Sequence, residues 1–268
     1  MKVQEASVDV LMITYNHEAF IAEAIESVIC QKTNFPVRLI IGDDHSSDAT
    51  FEIASACADR FPGRIIVSRG ETNIGMNQNW AKTYACCQSK YVALLEGDDY
   101  WSCDDKLQKQ VDFMESHADC VLCFHDAVSL APDGTAAEYI PWSIFSRKAS
   151  YTDADFVKFN LFPTCSALFR NGIVTELPPE FYDSVSGDWL LYALLSQHGP
   201  VHFLPEKMGV RRVHNGGVWS GKSPAEQYLF RIRSIEAVDS VLGGKYREIT
   251  EAEVERLLEE LANCLFRA

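Results

Sequence analysis

No run of about eighteen apolar residues occurs anywhere in this 268-residue chain, which argues against a membrane-spanning helix. Met1–Ser7 lacks the apolar core of a secretory leader, so the expectation is a cytoplasmic protein. Basic charge is scarce as well. Lys and Arg number 24 against 38 Asp and Glu, giving a formal charge of −14 and a pI near 4.9. That balance excludes a nucleic-acid polymer or an anionic membrane surface as the main partner, since both need a basic field, although a small anion can still bind through local Arg and Lys. Also missing is an even set of cysteines. The nine present, among them Cys30, Cys57, Cys120, Cys165 and Cys264, sit in apolar runs and read as buried thiols in a reducing compartment. Cys120 and Cys123 form C-x-x-C, but in the strand-like DCVLCF residues three apart point to opposite faces, which disfavours a metal knuckle or redox pair.

What is present is enough apolar content, 47%, to bury a full core. The stretch Tyr91–Trp101, YVALLEGDDYW, is the most informative: a short apolar strand runs straight into Glu96, Asp98 and Asp99. Three acids within four residues repel one another unless something positive sits among them, and hard oxygen ligands suit Mg²⁺ or Mn²⁺ shared with a substrate's phosphates. Taken alone, the cluster reads equally as a solvated acidic turn.

The rest of the chain supplies context. Val8–Thr14 is a short apolar, β-branched run ending at Tyr15-Asn16-His17, and Ile21, Ala24, Ile25, Val28 and Ile29 then follow a helical period. A second strand, Val37–Ile41, breaks at Gly42-Asp43-Asp44, and the Ser47/Asp48 region can cap a helix to about Arg60. A third strand, Arg64–Val67, leads to Asn73 and a helix to about Cys87. This alternation predicts a mostly parallel, doubly wound α/β sheet, whose ligands gather at the carboxyl ends of its strands. Tyr15, Asn16, Asp43, Asp44, Asn73 and the Asp98-Asp99 pair all fall at such ends, so they should converge on one crevice. Cys120–Val128 reads as a further strand with Asp133-Gly134 as a turn, and His125-Asp126 reads either as packing or as an approach to a second substrate.

VDVLMITYNHEAFIAEAIESVICQ, the strand into GDDHSSDAT, then ETNIGMNQNW, YVALLEGDDYW and KLQKQVDFM together resemble the nucleotide-sugar-binding half of family-two glycosyltransferases. The similarity is close over about residues 8–115 and weaker to about 221. It implies a GT-A (Rossmann-like), mostly parallel mixed sheet flanked by helices over 1–222, with a donor half to about 118, an acceptor half to 222 and a C-terminal helical extension over 223–268. It implies inverting transfer from a nucleotide-diphosphate sugar, a UDP-sugar by default, to a hydroxyl of a glycan or lipid-linked acceptor, at the inner face of the membrane in the latter case. Cell-surface polysaccharide or glycoconjugate synthesis is the process it suggests.

The resemblance also distributes roles. Tyr15 and Asn16, Asp43 and Asp44, and Asn73 fall where the family grips the nucleotide. Glu96-Gly97-Asp98-Asp99 stands for the D-x-D element, with Glu as its first acid, so the divalent cation, Mn²⁺ or Mg²⁺, is assigned to Asp98 or Asp99. Tyr100 and Trp101 are candidates to wall the sugar pocket. Asp188, in SGDW before LLYALL, is the implied catalytic base, with Asp183 as fallback and helix capping as the plain alternative. In the segment Val210–Gly217, Arg211 or Arg212 is expected on the diphosphate and His214 on phosphate or metal.

Two rival readings remain. Gly216–Ser223, GGVWSGKS, satisfies the phosphate-loop pattern, but only 45 residues follow it and they read as helices, so a flexible loop closing over the donor is the expectation there. A catalytically dead nucleotide-sugar-binding module is the other, against which Asp188 argues. Val254, Leu257, Leu258, Leu261 and Leu265 form an apolar stripe expected to pack on the core or on another subunit.

Overall fold

The computed structural model of the protein describes residues 6–139, 148–214 and 216–267; Met1–Glu5, residues 140–147, Asn215 of the Val210–Gly217 segment and Ala268, at the end of the expected helical extension, lie outside them. The opening strand β1 (Val8–Thr14) is buried at every position, as a continuous apolar run requires when both sheet faces are covered. Helix α1 (Ile21–Ile29) lays Ile21, Ala24, Ile25 and Val28 inward, and β2 (Val37–Asp43), α2 (Thr50–Arg60), β3 (Ile65–Arg69), α3 (Met76–Tyr84) and β4 (Tyr91–Glu96) continue the alternation. After them come β5 (Tyr100–Trp101), α4 (Lys106–Ser116), β6 (Leu122–Leu130), β7 (Ala136–Glu138), β8 (Ser150–Tyr151), β9 (Leu168–Arg170), α5 (Pro179–Asp183), α6 (Gly187–Ser196), β10 (Val201–Arg212), α7 (Pro224–Val241) and α8 (Arg247–Arg267).

The strands form one sheet in the order β3-β2-β1-β4-β9-β6-β10-β5, with β7 beside β6 and β8 beside β10. The first four pair in parallel, and beyond β4 the sheet is mixed: β9 runs antiparallel to β4 and β6, whereas β10 runs parallel to β6. Side chains alternate across it. Val8, Val10 and Met12 of β1 enter the layer under α1 and α4, while Leu11 and Ile13 enter the layer with Trp80 of α3 and Trp189 of α6. Each layer is a separate hydrophobic core, and the polar strand ends come to the rim between them.

Several expectations need correction here. The sheet order makes regular strand geometry begin at Leu122, so Cys120 and Cys123 enter the same core layer instead of opposite faces; both are buried free thiols. Cys30 is exposed and Cys57 and Cys264 are half-buried, because their helices turn those positions toward solvent. In α8 only Leu257 of the stripe is fully buried; Leu258 and Leu265 are 49% and 61% exposed because α8 lies on α7 at the margin of the fold. The Gly216–Ser223 stretch does not form a phosphate loop. Only α7 and α8 follow it among the described residues, and Ser223 caps α7, exchanging hydrogen bonds with Glu226.

Candidate active site

The ends of β1, β4 and β10, the head of α6 and one face of α7 enclose a cavity of about 680 Å³. Gly97 lets the acidic turn after β4 press against the end of β1: a Cβ there would lie 2.5 Å from Thr14 Oγ1 and 3.0 Å from His17 Nδ1. This close approach delivers Asp98 to the histidines. Its Oδ2 accepts from His214 Nε2 at 2.9 Å and lies 3.7 Å from His17 Nε2, and its Oδ1 is sealed from solvent with no partner. His17, Asp98 and His214 each offer a ligand atom within 4.8 Å of the others, as do Glu96, Asp98 and Asp99. An orphaned carboxylate oxygen beside two imidazoles fits a divalent ion such as Mn²⁺, which accepts nitrogen with oxygen ligands.

The electrostatics separate the three acids. Burial raises the Glu96 carboxyl far above its ordinary range, and the charges of Asp98 and Asp99 push it further. Asp99 rises likewise through burial and Asp98. Burial works against Asp98 too, but the His214 hydrogen bond and nearby His17 outweigh it and hold this carboxyl below the usual value. Burial keeps His17 below the ordinary imidazole value, the neutral state that a metal ligand needs. Of the two acids the sequence left open, Asp99 is 2% exposed and its Oδ1 accepts from the Arg212 backbone N–H at 2.8 Å, so Asp98 is the freer ligand.

Arg212 is held on all sides. It donates to the Asp98 carbonyl at 2.6 Å, pairs with Glu23, and stands 4.4 Å from the Tyr100 ring centroid and 5.2 Å from that of Phe20. Arg211 also lines the cavity, 5.7 Å over Tyr139, and among the described residues no carboxylate lies within ion-pair distance of it. Arg211 is therefore available to an anion. Tyr100 and Trp101 do not wall the cavity. Tyr100 faces Arg212, and Trp101 is buried, donating Nε1–H to the Cys165 carbonyl at 2.8 Å with Lys106 Nζ 3.8 Å from its ring centroid.

In the nucleotide half, Tyr15, Asp44 and Asn73 line the cavity while Asn16 and Asp43 stand behind the lining. Asn16 adopts φ 55° and accepts from Ser47 N at 2.8 Å, a turn role. Asp43 accepts from Ser46 N at 3.1 Å and lies 3.5 Å from Arg69, leaving Oδ1 sealed and unpartnered. Asp44 accepts from Ile74 N and Gly75 N at 2.8 and 2.9 Å, which fixes the Asn73 loop.

Asp188 occupies the first turn of α6 and lines the same cavity. Asn160 Nδ2 donates to its Oδ2 at 2.7 Å, and burial raises its carboxyl despite that bond and the Arg211 charge. A raised carboxyl is a stronger base once ionised. Asp183 is exposed at the end of α5 and lies outside the cavity, so it does not replace Asp188. His125 is fully buried, its Nδ1 against the Asp126 carbonyl at 2.8 Å and its pKa driven down to about 3 by burial, so it is packing. Sequence reasoning assigned no role to His17, Asn160, Trp219 or Arg231. His17 had a signal, its place at the end of β1, and Trp219 lies in the loop expected to close over the donor; Asn160 and Arg231 had none of their own.

Comparison with known proteins agrees with this fold. The family model described as Glycosyl transferase family 2 matches residues 9–177. An uncharacterized protein of Mycobacterium tuberculosis is 32% identical over 256 residues, covering 91% of this chain and 72% of its own length. The putative teichuronic acid biosynthesis glycosyltransferase TuaG of Bacillus subtilis is 34% identical over 128 residues, 48% of this chain and 49% of its own. S. aureus TarS in complex with UDP-GlcNAc has TM-score 0.65 at 20% identity, covering 87% of this chain and 66% of its own, and the Pyrobaculum calidifontis mannosyltransferase PcManGT with GDP-Man and Mn²⁺ has TM-score 0.63 at 15%, covering 98% and 81%. These two structures share the GT-A fold, and no helix among the described residues is long and apolar enough to cross a membrane. The chain belongs to glycosyl transferase family 2.

Proposed function

We propose that this glycosyltransferase moves a sugar, with inversion, from a UDP-sugar to an acceptor hydroxyl during synthesis of a cell-surface polysaccharide or glycoconjugate. One observation carries the reading: His17 and Asp98, the latter hydrogen-bonded to His214, line one cavity with Asp188. Tyr15, Asp44 and Asn73 hold the nucleotide at the end of the parallel strands, and Arg211 pairs with the diphosphate. Asp98, His214 and His17 would hold Mn²⁺ or Mg²⁺, which supplies charge neutralisation to the leaving diphosphate when bound. Asp188 accepts the proton of the acceptor hydroxyl while that oxygen bonds to the anomeric carbon; the bond to the diphosphate breaks and its electron pair leaves with the phosphate oxygen. Asn160 keeps the carboxylate oriented. UDP-GlcNAc in the TarS complex and Mn²⁺ in the mannosyltransferase complex support the donor class and the ion, and the named role of TuaG supports the process.

The test is a panel of nucleotide-sugars with Mn²⁺ or Mg²⁺, read by thermal stabilisation and slow donor hydrolysis. Asp98→Asn should lose both signals, and Asp188→Asn should keep stabilisation while losing turnover. If no donor raises the melting temperature in a metal-dependent way, the reading is wrong; stabilisation without any turnover in the unaltered protein would favour a binding module instead.

A further inference from the structure

Helix α7 lies beyond the segment matched by the family model, yet Phe230, Arg231 and Ser234 line the active-site cavity. Arg231 is held there with unusual definition for an arginine. Its guanidinium stands 4.8 Å from the Phe159 ring centroid, and its Nη2 donates to Glu253 of α8 at 3.2 Å. Glu253, 5% exposed, also accepts from Arg256 at 2.6 and 3.0 Å, so one carboxylate serves two guanidinium groups. A guanidinium carries five N–H donors, of which this bond occupies one. The remaining nitrogens of Arg231 are absent from the polar atoms that are sealed and unpartnered among the described residues, so solvent and ligands can reach them.

The position relative to the chemistry is equally defined. Phe159, on which Arg231 stacks, is followed by Asn160, the residue that holds Asp188. Arg231 thus packs against the segment that carries Asn160, on a wall of the cavity that also holds the base. A neutral acceptor would need no fixed guanidinium there, whereas a phosphate or carboxylate would match its planar fork in a bidentate pair.

We propose that Arg231 forms an anion-binding acceptor subsite, so that the acceptor carries a phosphate or carboxylate on or next to the unit whose hydroxyl reacts. The assignment rests on Asp188 being the base. It makes α7 a specificity element, not simply a cover over the sheet.

The test fills the donor half with UDP and Mn²⁺ and titrates glycerol 3-phosphate, glucuronate, glycerol and glucose into the full chain, following binding by ligand-observed NMR. Glycerol 3-phosphate or glucuronate should bind at least tenfold tighter than its neutral counterpart, whichever is tighter naming the anion. Arg231→Gln should lose that preference and Arg231→Lys should recover part of it, with a cooperative melting transition confirming that each variant folds. Equal binding of anions to the wild-type and Arg231→Gln proteins, or no preference in the wild type, overturns the proposal. If UDP gives no saturable shift, the donor reading fails separately. The anion titration is then run on nucleotide-free protein, where dependence on Arg231 upholds the subsite and independence overturns it.

Discussion

Lys106 offers the sharpest quantitative test of the packing beneath the acidic turn. Its side chain is fully buried, its Nζ has no hydrogen-bond partner and lies 3.8 Å from the Trp101 ring centroid, and its electrostatic neighbours are the thiols of Cys165 and Cys123, with His125 nearby. Burial without a carboxylate lowers its pKa from 10.5 to about 7. The unfolded chain therefore binds this proton more tightly than the folded one. The resulting cost to folding is complete below about pH 7, shrinks as the pH rises, and vanishes above 10.5. At about 1.4 kcal/mol per tenfold change in proton affinity, the full cost is about 5 kcal/mol. Attraction of the ammonium to the indole face is worth about 2 kcal/mol at a desolvated site, short of the full cost, so desolvation wins. Lys106→Met, of similar length and without charge, should thus be more stable than wild type by about 5 kcal/mol at pH 6 and about 2 kcal/mol at pH 9. Urea unfolding of both proteins at several pH values measures this, and titrations common to both cancel in the difference. A difference that stays flat with pH, or a variant less stable at pH 6, would mean that the amine is charged and solvated in the folded state, and the argument would fail.

Other perturbations act directly on the site. Gly97→Ala places a Cβ against Thr14 and His17, and should destabilise by about 1–3 kcal/mol while weakening Mn²⁺-dependent nucleotide stabilisation; an unchanged melting temperature would show that the turn yields without cost. His214→Ala removes the hydrogen bond to Asp98, so the Mn²⁺ concentration for half-maximal stabilisation should rise at least tenfold in a metal titration. Gly187→Ala would put a Cβ 2.6 Å from Asn77 Oδ1 and 3.1 Å from the Phe181 ring, displacing the head of α6; kcat should fall about tenfold with donor binding retained, as steady-state kinetics would reveal.

Periodicity carried much of this in advance. The first strand was readable to the residue, because a short run of apolar and β-branched residues ending at polar ones leaves little ambiguity. The candidates Asp98 or Asp99, Asp188 and His214 could be named from stereotyped neighbours, without a choice between the first two. Individual contacts could not. Nothing local says that Asp44 would be occupied by the Asn73 loop, that Trp101 would turn inward over Lys106, or that Arg212 would be clasped between Phe20 and Tyr100, since each depends on partners far along the chain. The same applies to the cysteines: the start of β6 decided the facing of Cys120, and that start is set by pairing with β10 and β9.

The long reach from β4 to β10 has a consequence for how the protein comes into being on the ribosome. Asp98 and Asp99 find their partners in His214 and Arg212, more than a hundred residues later, and Arg212 in turn reaches back to Glu23. A nascent chain that has emitted only the first four parallel strands possesses an acidic turn with neither Arg212 nor His214 to relieve its mutual repulsion. Translation must run past His214 before that turn can settle, so a chain interrupted earlier yields an inert scaffold instead of a half-active transferase.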